Sequence, residues 1–227
     1  MVEHRLRHSF PTVDNKGILT YGGSQQLSDS AVIRKCGCGV VAAADLFIYL
    51  QRFHAGCTSE LLESTAAIRP IPLESYNGIL RALCRRFFPV APPFGINGLG
   101  LACGMNLFFV RSGYRFRAQW GVKYSMLWES IAKMLDMDIP VVIAVGPNLP
   151  CFWQNNQTGL YTRLPDGSYR KIGAVKAHYM SVTALDGEWL TVSSWGHKYY
   201  ISRRDYDMYV RTHSNGLVCN IAYIKPV

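Results

Sequence analysis

The chain changes its hydrophobic rhythm about two thirds of the way along. From Val40 to Phe53 the residues are apolar on nearly every side of a helical projection, which predicts a buried helix. Gly37 and Gly39, in Cys36-Gly37-Cys38-Gly39, give that helix a tight entry with accessible backbone. Thr58 to Ile68 reads as a second helix, with Thr58 or Ser59 as N-cap and glutamates in its first turn. Pro72 to Phe88 reads as a third. Ala91 to Gly104 is rich in proline and glycine and passes into a helix-like Met105 to Val110. A strand is expected at Phe116 to Trp120, and Ser125 is expected to cap an amphipathic helix that runs to about Met137. Val141 to Val145, after Pro140, has the apolar run of a buried strand.

From about residue 158 the period becomes that of strands. Leu160 to Leu164 and Tyr169 to Ile172 flank Pro165-Asp166-Gly167-Ser168, a hairpin turn. His178 to Leu185, Trp189 to Ser193 and Lys198 to Ile201 follow, with turns at Asp186-Gly187 and Trp195-Gly196. A short helix over Arg203 to Tyr209 and a last strand over Leu217 to Ile224 complete the chain. Residues 1 to 30 are polar and rich in Gly and Ser, with Tyr21-Gly22-Gly23-Ser24 as a turn signal. Helices first and antiparallel strands second predict an α+β fold of one domain over residues 1–227. A helical lobe (about 25–138) packs on a β lobe (about 139–227), with a groove between them.

Composition narrows the class. With 227 residues, 49% hydrophobic and 17% charged, the chain can bury a core without metals or disulfides, and disorder is excluded. The net charge is +9, but Lys and Arg are scattered and the densest clusters, Arg85-Arg86 and Arg203-Arg204, are only pairs. That is a basic surface with no nucleic-acid motif. Seven cysteines without regular spacing predict free thiols in a reducing cytoplasm. Met1 to Phe10 lacks the apolar segment of a secretory signal, and the longest apolar runs are too short for a membrane span. No cofactor motif is visible.

Two residues carry candidate chemistry. Cys38 opens the predicted buried helix, where unpaired N–H groups and the helix dipole favour a thiolate and can hold a developing oxyanion. His178 begins an apolar strand, which can anchor it rigidly while its ring faces a cleft. Each also has a plain structural reading, as a buried thiol and as a core histidine.

Gly37-Cys38-Gly39-Val40-Val41-Ala42 resembles the Gly-Cys-Gly-Pro-x-Ala nucleophile motif of papain-like cysteine peptidases, above all the bacterial double-glycine-leader peptidases and their stand-alone relatives. Ala177-His178 resembles the family's histidine strand. Trp189 to Gly196 is similar to its strand ending in Asn-Ser-Trp-Gly, and Met126 to Val145 to its helix and Pro-Val strand. The likeness covers roughly residues 20 to 205.

The resemblance implies a papain-like fold whose central helix begins at the nucleophile. It implies a cysteine peptidase or amidase that uses a thiolate–imidazolium pair, Cys38 and His178. Gln25, preferred over Gln26, would donate to the oxyanion, and Gly37 and Trp195 would flank the substrate. Ser193 stands where relatives carry the Asn or Asp that orients the histidine; its hydroxyl is shorter and uncharged. Ser194, on the opposite face of that strand, and the carboxylates Asp186 and Asp205 are the other candidates. The implied partner is a peptide or amide substrate, with a Gly-rich cleavage site as the family's example. Acyl transfer at the same site and a non-catalytic peptide-binding module are the alternatives.

Rival readings use other residues. Cys36, Cys38, His54 and Cys57 contain enough ligands for zinc, though with atypical spacing. Cys36 and Cys38 are a conceivable redox pair, and Cys36 an alternative nucleophile. His54, His197 and His213 are alternative bases. Trp120, Trp153 and Tyr161 read as core aromatics or groove lining.

Overall fold

The structure, a computed structural model, describes residues 3–148, 151 and 154–227. The polar first thirty residues, in which the sequence marks only a turn, contribute three short strands: β1 (Glu3–Arg5), β2 (Thr12–Asn15) and β3 (Ile18–Tyr21). A six-residue helix, α1 (Ala31–Cys36), then leads through Gly37 into α2 (Cys38–Phe53). Residues 39 to 50 of α2 are all buried, as an all-round apolar sequence requires.

The expected helix at Thr58 to Ile68 shrinks to a 3-10 turn and α3 (Glu63–Ala66). The Arg52 guanidinium takes up the carbonyls of Thr65 and Ile68, and Arg69 precedes a proline, a position that disfavours helix. Next come β4 (Ile71–Pro72), α4 (Leu73–Arg86) and α5 (Gly98–Arg111). Helix α5 starts seven residues earlier than the glycines suggest. Asn97 caps it by accepting from the Gly100 N–H at 2.8 Å. Its glycines allow close packing: a Cβ on Gly98 would overlap the Trp120 ring, and one on Gly104 would lie 2.5 Å from the Phe87 carbonyl. β5 (Phe116–Trp120) and α6 (Leu127–Asp136) follow.

The second part contains β6 (Val141–Val145), β7 (Thr158–Arg163), β8 (Tyr169–Val175), β9 (His178–Asp186), β10 (Trp189–Ser194), β11 (His197–Ser202), α7 (Arg203–His213) and β12 (Ile221–Pro226). The main sheet runs β5-β12-β6-β9-β10-β11-β7-β8, antiparallel throughout. β1 pairs with the far end of β9, from Ala184 to Asp186, beyond the stretch that β6 covers. A small sheet, β3-β2-β4, stands apart.

The fold is therefore α+β, and α2 is its axis. One flank of α2 carries Phe47, which stacks on Phe108 with ring centres 3.9 Å apart and meets Phe109 edge-on. The other flank lies on β9. The boundary expected near residue 138 is not clean, because β1 and β5 come from the first part and complete the sheet of the second. The buried apolar side chains of both parts form one continuous cluster.

Candidate active site at the start of helix α2

The joint between α1 and α2 is a single residue. The Gly37 N–H closes α1 onto the Ile33 carbonyl at 2.8 Å, and the Gly37 carbonyl accepts the Val41 N–H at 3.0 Å to open α2. A Cβ on Gly37 would sit 2.6 Å from the Ile33 carbonyl oxygen, so only glycine fits. The structure thus accounts for Gly37 by the joint, and it lines neither cavity described below. Cys38 becomes the first residue of a sixteen-residue helix, half-buried, with unpaired helix N–H groups around it.

His178 opens β9 and is 8% exposed. Its ring stacks on Trp195, with centres 4.4 Å apart and planes at 23°. Its Nε2 shares a 2.8 Å hydrogen bond with Ser194 Oγ. Ser193 does not fill the orienting position. Register explains why: Ser193 pairs with Ser181, three residues from His178, which puts it on the other face of the sheet. Ser193 Oγ instead donates to the Tyr21 carbonyl at 2.6 Å. The two carboxylates are also elsewhere. Asp205 accepts from the Tyr161 hydroxyl, and Asp186 ends β9 at the opposite end from His178.

Trp195 and Gly196 form the two-residue turn between β10 and β11, both with positive φ, +49° and +79°. Such a turn favours Asn or Gly, and a bulky residue there is strained by about 1–3 kcal/mol. The strain is offset by the stack on His178, where the indole shields the imidazole from water.

Burial pushes the Cys38 thiol above its ordinary value of 9.0, against the backbone N–H groups of Tyr179, Gly39 and Cys38 itself, which pull it down. Burial also lowers His178 to about 4. Each pH unit separating the two groups costs about 1.4 kcal/mol in moving the proton from sulfur to nitrogen. Burial thus works against the charged form of both side chains.

Gln25 lies in a 3-10 turn over Gln25–Leu27 and, with Cys38 and His178, lines both cavities of the site. Its Nε2 donates to the Arg34 carbonyl at 3.1 Å, which leaves a second N–H on that nitrogen. Its Oε1 is buried without a hydrogen-bond partner among the described residues. Gln26 is exposed.

Sequence reasoning missed Asp45. It is 1% exposed in the middle of α2, seven residues beyond Cys38. Both carboxylate oxygens accept the Gly23 N–H, each at 3.0 Å, and Oδ1 also accepts the Tyr76 hydroxyl at 2.7 Å. Burial outweighs these bonds and raises its pKa to about 7. The available signal was a lone acid inside an apolar helix, a residue that is almost never fully buried without partners.

The inner cavity, about 10 Å³, has room for one water, and its walls include Cys38, His178, Gln25, Asp45 and both Ser193 and Ser194. An outer groove of about 390 Å³ leads away past Phe94, Ile96, Val145 and Pro147. The rival sites do not assemble. Cys38 and the His54–Cys57 pair sit at opposite ends of α2, about 24 Å apart at 1.5 Å per residue, too far to share an ion. Cys36 also lines the outer groove, and its thiol is directed to the Val32 carbonyl. His54 bonds the Asp138 carbonyl, His197 is exposed on β11, and His213 lies against Tyr209 at the end of α7. Trp120 packs edge-on to Tyr179 and Tyr161 to Trp189; Trp153 lies outside the described residues. No family model, curated protein or solved structure matches the chain.

Proposed function

We propose that the chain is a papain-like cysteine hydrolase that cleaves a peptide or amide bond. The observation that carries this reading is that Cys38 and His178, 140 positions apart in sequence, line the same two cavities, with the His178 Nε2 held by Ser194. Among the described residues Nδ1 has no hydrogen-bond partner, so it is the nitrogen on offer to the thiol. Cys38 sulfur attacks the substrate carbonyl carbon while its proton passes to His178 Nδ1. The carbonyl oxygen takes negative charge, held by helix N–H groups at the start of α2 and by the second N–H of Gln25. The carbon–nitrogen bond then breaks, and His178 returns the proton to the departing amine. Water, deprotonated by His178, releases the acid from the thioester. Acyl transfer differs only in that an amine replaces this water.

The seven free thiols support a reducing compartment such as the cytoplasm. Among the described residues no helix is long and apolar enough to cross a membrane. The outer groove, lined by apolar side chains such as Phe94, Ile96 and Val145 together with Lys35 and Asn97, suits an extended peptide. A binding module without turnover is the second reading, favoured by the neutral orienting group Ser194 in place of an amide or carboxylate.

The test is a peptide library profiled by mass spectrometry against the wild type and Cys38→Ala. Cleavage products that vanish in the variant are the expected result. Saturable peptide binding without Cys38-dependent products would establish the binding module instead.

A further inference from the structure

We propose that Asp45 is a positioning residue that sets the oxyanion donor Gln25 from beneath, through the Gly22-Gly23 loop. This rests on the reading of the site as a cysteine hydrolase.

Gln25 opens a 3-10 turn that bonds forward to Arg34, and the Gly22-Gly23 segment joins that turn to β3, so the seat of Gly23 sets where the turn begins. Asp45 accepts the Gly23 N–H with both oxygens at 3.0 Å, two residues before Gln25. Tyr76 holds the carboxylate in turn, with its hydroxyl 2.7 Å from Oδ1. The seat has no slack. A Cβ on Gly22 would lie 2.6 Å from Asp45 Oδ2, and one on Gly23 would overlap the Tyr76 hydroxyl. Gly22 also needs its positive φ of +74°, which other residues rarely adopt.

The same loop is gripped from the histidine side. Ser193 Oγ donates to the Tyr21 carbonyl at 2.6 Å, and the Tyr21 N–H donates to the Gly196 carbonyl at 2.7 Å. Gly196 belongs to the turn whose Trp195 covers His178. Asp45 and Cys38 both belong to α2, two turns apart, so the carboxylate ties Gln25 to the helix that carries the nucleophile. A donor aimed at a developing oxyanion must be placed within a fraction of an ångström, because a displacement of about 1 Å costs about 100-fold.

Two probes separate positioning from general integrity. A peptide aldehyde adds the Cys38 sulfur to its carbonyl carbon; the carbonyl π electrons move to oxygen, which takes the thiol proton, so the adduct uses the oxyanion donors. Iodoacetamide alkylates the same sulfur with loss of iodide and needs no oxyanion donor. Asp45→Leu is expected to weaken aldehyde affinity by about 10- to 100-fold while the alkylation rate of Cys38 stays within about threefold of wild type. Asp45→Asn keeps one acceptor for Gly23 and is expected to restore most of that affinity. Should Asp45→Leu fail to fold, Tyr76→Phe loosens the carboxylate and is expected to cost about fivefold, one hydrogen bond.

Equal loss of both reactions in a folded Asp45→Leu protein, or unchanged aldehyde affinity, overturns the proposal alone. A wild type that takes up neither reagent at Cys38 overturns the hydrolase reading and this proposal with it.

Discussion

Ser194 Oγ lies 2.8 Å from His178 Nε2, on the face of the sheet that His178 shares and Ser193 does not. Ser194→Ala should therefore lower turnover by about 10-fold or more, because the ring loses its tautomer and orientation. Ser193→Ala should spare turnover more and cost about 1 kcal/mol of stability through the lost bond to Tyr21. Turnover and urea midpoints measured on the two variants would contradict this assignment if the effects were reversed.

Trp195 holds a strained positive-φ position and covers the imidazole. Trp195→Gly relieves the backbone but lets water reach His178. The imidazole, lowered to about 4 by burial, should then titrate closer to its ordinary 6.5. The C2–H resonance of His178 followed against pH by NMR reads this directly. An unchanged midpoint would mean that the indole does not desolvate the ring.

Two buried groups give opposite pH dependences. His178 has a folded-state pKa below its unfolded value, so its neutral form is favoured by folding. Its contribution is complete above about 6.5 and is lost as pH falls through about 4, on the order of 3 kcal/mol. Asp45 is raised from 3.8 to about 7, so its protonated form is favoured by folding. That contribution is complete below 3.8 and is lost as pH rises through 7, on the order of 4 kcal/mol. Asp45→Asn, which imitates the protonated acid, should gain on the wild type between pH 4 and pH 8. His178→Gln should gain on it as pH falls from 6.5 to 4. Urea unfolding of the three proteins across that range checks both signs, and parallel stability curves would contradict them.

Helix α5 tests the packing account. Gly104 meets the Phe87 carbonyl and the Phe88 ring so closely that a methyl group has no space. Gly104→Ala should destabilise by about 1–3 kcal/mol even though alanine is the better helix former. A stabilised variant would show that the α4–α5 contact relaxes freely.

The legible part of this protein was its periodicity. The apolar run after Cys38 announced a buried helix, and alternation after residue 158 announced the strands, nearly to the residue for β9. The placement of Cys38 at a helix start and of His178 at a strand start was readable from the change of period at each. Ser194 was not, since only the β9–β10 register decides which of two adjacent serines faces the ring, and register is a long-range fact. The glycines of α5 misled for the opposite reason. Their local preference is against helix, and the close approach of Trp120 and Phe88 overrides it. Asp45 was hidden because its partners, Gly23 and Tyr76, are 22 and 31 residues away and lie on other elements.

The most direct measurement is the rate of iodoacetamide labelling at each of the seven cysteines against pH, resolved by mass spectrometry, in wild type and His178→Ala. With burial holding the thiol up, labelling of Cys38 should need more alkaline solution than labelling of an exposed cysteine such as Cys103. A peptide-based acylating probe, which draws on His178 as base, should react at Cys38 near pH 7 in the wild type and slow by about 100-fold or more in the variant. Equal reaction of wild type and His178→Ala with that probe would contradict the pairing of Cys38 with His178 on which the proposed chemistry stands.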